Sequence, residues 1–130
     1  MMTSNLEIIA GHYDASARGD LAGMLAPLAE DIRWTESAGF PLAGTYVGPQ
    51  AVLENVFAAL AREWDDFGVD LERLLDGGER IVGVATYRGR NKKTGKTLST
   101  RVVHLWEVVD GKAVSFEQIV DSVPVLEAMS

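Results

Sequence analysis

The sequence predicts an α+β domain in which helices come first and pack on one face of a sheet built from long antiparallel strands. Three observations carry this. Apolar residues recur at helical spacing in three segments up to about Glu63, and alternation is continuous from Asp66 onward, an order that argues against a βαβ winding. Asp110-Gly111 separates two alternating runs, Thr97 to Val109 and Ala113 to Asp121, and Asp-Gly in that setting is among the strongest short hairpin signals. With 130 residues and no linker, repeat or low-complexity stretch, the chain reads as one domain over 1–130. That length buries roughly two-thirds of the surface an unfolded chain exposes.

Thr3 or Ser4 caps a first helix carrying Leu6, Ile9 and Tyr13 at helical spacing, and Gly19 stops it. Asp20 starts a short second helix whose apolar stripe is Leu21, Met24, Leu25 and Leu28. From Asp31 to Glu36 the pattern changes to period two, which marks a strand. Ala38 to Gly48 is a Gly- and Pro-rich segment, and Gly48-Pro49 opens a third helix because proline suits the first helical position. Val52, Leu53, Val56, Phe57 and Leu60 give that helix one apolar face. Phe67, Val69 and Leu71 then alternate with polar residues. Asp76-Gly77-Gly78 turns the chain into Arg80 to Arg90, and a turn within Asn91 to Gly95 leads to Thr97.

Composition removes several function classes. There are no cysteines, so disulfides, thiolate nucleophiles and Cys-ligated zinc are excluded and nothing argues for an oxidising compartment. The start, Met1 to Glu7, lacks the basic and apolar regions of a signal peptide, and no run approaches the roughly 20 apolar residues of a membrane span. A cytoplasmic protein without membrane contact is expected. The net charge of −7 repels phosphate backbones, and the one basic stretch, Arg88 to Lys96, reads as a solvated hairpin tip rather than a nucleic-acid patch. Two histidines without metal-ligand spacing, and no Gly-rich loop between a strand and a helix, leave neither metal nor cofactor expected.

The candidate site comes from polar residues in phase with apolar strand faces. Ile32, Trp34 and Glu36 share one face, Val102, His104 and Trp106 another, and Val114, Phe116, Gln118 and Val120 a third. Converging, they make an apolar cup holding a carboxylate, an imidazole and an amide, walled by Trp34, Trp106 and Phe116. Glu36 is either a carboxylate desolvated beside Trp34, and so a base near neutral pH, or a strand-end carboxylate already in water. His104 is either a donor to a developing enolate oxygen or a satisfied core histidine. Gln118 orients a carbonyl or water, or satisfies His104 and backbone groups. Asp121 faces away from Gln118 by alternation and reaches the site only if a bulge re-aims it; a salt bridge or cap is the other reading. Tyr13 offers a phenol to the cup or is core, and Tyr46, with Phe40 and Leu42, forms a lid or surface packing. His12 is read as facing solvent and Arg101 as lying opposite His104.

The order helix, helix, strand, Gly/Pro loop, helix and meander resembles the cone-shaped nuclear transport factor 2-like superfamily, which includes ketosteroid isomerases and SnoaL-type polyketide cyclases. The marks are Tyr13 with Gly19-Asp20-Leu21, Asp31-Ile32-Arg33-Trp34, Gly44-Thr45-Tyr46-Val47-Gly48, Val103-His104-Leu105-Trp106 and Asp110-Gly111-Lys112. In their order and spacing they are similar to the SnoaL-like branch. The resemblance implies a cone-shaped mixed or antiparallel sheet with three helices on its concave side. It places Glu36 where the isomerases keep a general-base aspartate, one methylene shorter. His104 falls where SnoaL-type cyclases carry a pocket histidine, and Tyr13 resembles an isomerase tyrosine. Gln118 falls where the cyclases carry their catalytic aspartate, and an amide abstracts no proton, so the cyclase reaction does not transfer directly.

The expectation is a cofactor-independent isomerase or cyclase-type enzyme moving a proton next to a carbonyl of a small, largely apolar molecule. A water-activating hydrolase or dehydratase would use the same residues. A non-catalytic ligand-binding or dimerisation module is the alternative from another class. Val103, Leu105 and Ile119, on the side away from His104, predict a homodimer through the outer sheet face.

Overall fold

The computed structural model describes residues 3–130; Met1 and Met2, where the sequence reading found no leader, lie outside the described residues. The first helix, α1 (Asn5–Arg18), starts at a capping box. Ser4 Oγ accepts from the Glu7 N–H, and the Glu7 carboxylate accepts from the Ser4 N–H. It ends where Gly19 takes φ 69°, a left-handed conformation that glycine adopts without strain. Asp20 caps α2 (Leu21–Leu25), accepting from the Gly23 N–H at 3.0 Å. Leu28 does not finish that helix as its spacing suggested. It begins β1 (Leu28–Glu36), where it is buried with Ile32, Trp34 and Glu36.

Gly44–Val47, read as loop, forms a short strand β2 antiparallel to β1. After Gly48, α3 (Pro49–Val52), a π-helical turn (Leu53–Phe57) and α4 (Ala58–Glu63) follow without a break. The π turn widens the helix by one residue, a departure from regular spacing that often marks a functional surface. The meander is β3 (Trp64–Gly77), β4 (Arg80–Asn91), β5 (Thr97–Val109) and β6 (Lys112–Val120). Asp110 and Gly111 both have positive φ, 50° and 77°, the geometry of the hairpin turn their sequence announces. A closing helix, α5 (Ser122–Met129), was not expected. Asp121 starts it by accepting from the Val123 N–H, so its carboxylate is a cap and lies outside the cup.

The strands form one curved mixed sheet in the order β2-β1-β6-β5-β4-β3. Only the β1 to β6 pairing is parallel, and the others are antiparallel. Register shifts between Asp65 and Gly68 and between Leu71 and Arg73 mark bulges in β3, the device by which a long strand bends. The α+β class is therefore as expected, with more helical segments than three. No helix among the described residues is long and apolar enough to cross a membrane.

Register sets the inner face. One row crosses the sheet through Trp34, Phe116, Trp106 and Ile81, all buried. The next row runs Gln118, His104, Gly83 and Leu74. Trp34 and Phe116 stack with centroids 3.7 Å apart, and Trp106 meets both edge-on at 5.6 and 4.7 Å. Offset and edge-to-face contacts of this kind add about 0.5–1.5 kcal/mol per pair beyond area burial. They hold the floor of the site rigid.

Candidate functional site

A cavity of about 510 Å³ opens between the sheet and the helices α1, α2, the π turn and α4. Tyr13, Trp34, Glu36, His104 and Phe116, all candidates from the sequence, line it. So do residues the sequence reading left aside: His12 on α1, Val56 and Phe57 on the π turn, Trp64 and Phe67 on β3, and Tyr87 on β4. Asp65, Asp66 and Lys92 lie in the same lining.

Glu36 is only 4% exposed, so the strand-end carboxylate in water is ruled out. Among the described residues neither its Oε2 nor the Trp34 Nε1, both buried, has a hydrogen-bond partner. Burial pushes the carboxyl up to about 8, and the indole N–H of Trp34 acts weakly in the opposite direction. Because that N–H does not reach hydrogen-bonding geometry with Oε2, burial decides the sign. The group is mostly protonated at pH 7 and becomes a base as pH rises through about 8.

His104 is held between two phenols. Tyr13 Oη lies 2.7 Å from its Nδ1 and Tyr87 Oη lies 2.7 Å from its Nε2. Behind them, the Trp106 indole N–H donates to Tyr13 Oη at 3.0 Å, and Gln118 Nε2 donates to Tyr87 Oη at 3.0 Å. Gln118 Oε1 in turn accepts from both the backbone N–H and the hydroxyl of Ser37 at 3.1 Å. Burial, helped by His12, drives the His104 imidazole down to about 3, so it is neutral. Burial also raises both phenols, with the Glu36 charge adding to the rise at Tyr87.

Gln118 and Trp106 therefore sit one layer behind the cavity wall, at 1% exposure each, holding the tyrosines. Neither lines the cup as its alternation suggested, since both side chains are consumed by the network. Tyr46 is not a lid either. Its hydroxyl donates to the Leu42 carbonyl at 2.8 Å, and its ring packs against the core. Phe40 is buried in a second core cluster.

His12 corrects the expectation of a solvent-facing ring. It is 5% exposed, and Nδ1 lies 2.8 Å from the Met24 carbonyl, which only accepts, so Nδ1 carries the proton. Burial lowers its imidazole to about 4 against the opposing pull of that carbonyl. Its position was legible in principle, because Ile9, His12, Tyr13 and Ser16 share one helical face. Tyr87 was likewise in phase with Ile81 and Ala85 on β4.

Gly83 makes the network possible. A Cβ there would lie 2.5 Å from Tyr13 Oη and 3.2 Å from its Cζ. The absent side chain is where the phenol reaches His104. Gly83→Ala is expected to displace Tyr13 and cost about 1–3 kcal/mol by overpacking, read as a lower urea midpoint. An unchanged midpoint would show that Tyr13 shifts freely.

Residues 9–116 match the SnoaL-like domain family. An NTF2-like protein from Burkholderia thailandensis is 45% identical, with 99% of each chain covered and a TM-score of 0.97. The protein TerC, co-crystallised with polyporic acid, is 26% identical over 98% of each chain, with a TM-score of 0.87. An uncharacterized protein of Mycobacterium tuberculosis is 29% identical over 84% of this chain and 82% of its own length. With most of its length matched, and with a fold shared with NTF2-like proteins, the chain belongs to the SnoaL-like domain family.

Proposed function

We propose that the chain is a cofactor-independent enzyme of isomerase or cyclase type that moves a proton next to a carbonyl of a small, largely apolar molecule. The observation that carries this is Glu36, a buried carboxyl with an unpartnered oxygen on the wall of an aromatic cavity. Its raised pKa matches a base that works near and above neutrality. Trp34, Phe57, Phe116 and Tyr87 give the substrate an aromatic, largely apolar lining. The co-crystallisation of the related TerC with polyporic acid supports a small organic ligand for this chain as well.

The test is deuterium exchange of apolar enolisable ketones in heavy water, followed by NMR. Exchange next to the carbonyl should accelerate with pH and level off above about 8. A ketone that binds and never exchanges above background would favour the non-catalytic module.

The reading includes a cytoplasmic homodimer. On the outer sheet face Leu75 pairs with Val82, Val82 with Leu105, Val84 with Val103, and Val103 with Ile119, giving an apolar stripe across four strands. Leu75 and Ile119 are about half exposed, and a second copy laid on the same stripe would cover them. Light scattering should give twice the mass of one chain at micromolar concentration, falling to one chain in Ile119→Lys. A wild-type monomer at that concentration would contradict the dimer.

A further inference from the structure

We propose that His12 is a specificity residue of the cavity, its Nε2 lone pair accepting a hydrogen bond from a hydroxyl that the ligand carries apart from its carbonyl. The inference deepens the proposed function and rests on it in taking the cavity as the ligand site. It narrows the ligand class to largely apolar molecules with a hydroxyl donor.

One contact fixes the tautomer. Nδ1 lies 2.8 Å from the Met24 carbonyl, and a carbonyl only accepts, so Nδ1 holds a proton. The ring is neutral, since burial lowers it to about 4, and a neutral imidazole has one proton. Nε2 is therefore bare and can only accept.

That lone pair is both unpaired and open. Among the described residues no donor reaches it, the Met24 contact being the one hydrogen bond the ring makes. Nor is it sealed in the core: among the described residues, the unpartnered side-chain atoms that are sealed off are Trp34 Nε1 and Glu36 Oε2. Tyr13 and Trp106 pack around the imidazole with centroids 5.4 and 4.9 Å away, and Met24 tethers its Nδ1 side to α2. With the residue only 5% exposed and on the cavity wall, the opening at Nε2 is the cavity itself.

The neighbouring polar groups are committed elsewhere. Both His104 nitrogens face tyrosines, so the imidazole expected to touch the ligand keeps no free atom for one. Tyr13 Oη receives the Trp106 N–H and Tyr87 Oη receives an N–H of Gln118. Asp65 and Asp66 are exposed, where water competes for them. A ligand hydroxyl stripped of water in the aromatic cavity recovers its hydrogen bond at His12 Nε2, and an analogue without the hydroxyl leaves that lone pair unpaired. A residue whose sequence suggested a solvent-facing ring thus selects among ketones.

Two experiments test this, neither of which reads turnover. In ¹⁵N-histidine-labelled wild type at pH 7, NMR should show His12 protonated at Nδ1 and bare at Nε2. Adding 2-naphthol should move the Nε2 resonance toward its protonated position, and 2-fluoronaphthalene, of similar shape but without the O–H, should leave it in place. A proton on Nε2 in the free protein, or an unmoved resonance with 2-naphthol bound, overturns the proposal. In the second experiment the dissociation constants of both compounds are measured for wild type, His12→Phe and His12→Asn, with circular dichroism checking the fold. Phenylalanine keeps a flat ring, and asparagine keeps an N–H for the Met24 carbonyl; both remove the acceptor. In each variant 2-naphthol should weaken about tenfold relative to 2-fluoronaphthalene. A purely structural role would weaken the two compounds alike, and an unchanged ratio overturns the proposal, as does no binding of 2-naphthol to wild type at millimolar concentration. Failure here leaves proton abstraction by Glu36 standing, and failure of ketone exchange leaves the His12 contact standing, because binding 2-naphthol requires no base.

Discussion

Glu36→Gln is expected to lower proton abstraction by about 10²–10⁴-fold, because an amide keeps the shape of the acid but accepts no proton at its nitrogen. The same change should stabilise the fold at neutral pH. The folded carboxyl is raised from 4.5 to about 8, so the protonated form is the one the fold prefers. Its contribution to stability is fully present below about pH 4.5 and is lost as pH rises through about 8. At pH 7 most of that loss has occurred, and an uncharged glutamine escapes it, less its own amide desolvation. A net gain of about 1–3 kcal/mol follows, read as a higher urea midpoint at pH 7 that vanishes at pH 4. Full exchange activity in the variant would remove Glu36 as the base.

His104→Ala is expected to cost about 3–5 kcal/mol of stability, because it leaves a cavity and strips partners from two buried phenols at once. Ligand binding should suffer with it, since Tyr13 and Tyr87, both on the cavity wall, lose the partner that fixes their hydroxyls. A loss below about 1 kcal/mol would show that the phenols find new partners. The acid side carries a second signature. His104 and His12 are both depressed, to about 3 and about 4, so their stabilising contribution is present above about 6.5 and is lost as pH falls through those values. In the variant one of these two losses disappears, and the acid limb of the stability curve becomes shallower.

The strands were legible because their periodicity is set by burial on one face. Thr97 to Val109 is the strand its alternation predicts, and Asp110-Gly111 turns as its chemistry requires. Trp34, Glu36, His104 and Gln118 were correctly placed on inner faces, since phase along a strand is a local property. Depth was not legible. Gln118 and Trp106 point inward like His104, yet the tyrosines lie between them and the cavity, and that layering depends on where α1 sets Tyr13. Tyr87 was not legible because the two faces of its strand, Ile81-Gly83-Ala85 and Val82-Val84, are similarly apolar, so alternation alone does not mark the inner one. β2 was missed because four residues between glycines show too little periodicity to separate from loop. The closing helix was missed because Asp121 reads equally as the end of a strand and as a cap.

The proposed proton transfer turns on one carboxyl being buried without a partner, and infrared or ¹³C NMR titration of Glu36 in the ligand-free protein addresses that directly. The expected result is a carboxyl signal, absent in Glu36→Gln, that persists through neutrality and ionises at about 8. Ionisation in the ordinary carboxylate range, near 4.5, would mean that Glu36 is solvated or paired and is not the base.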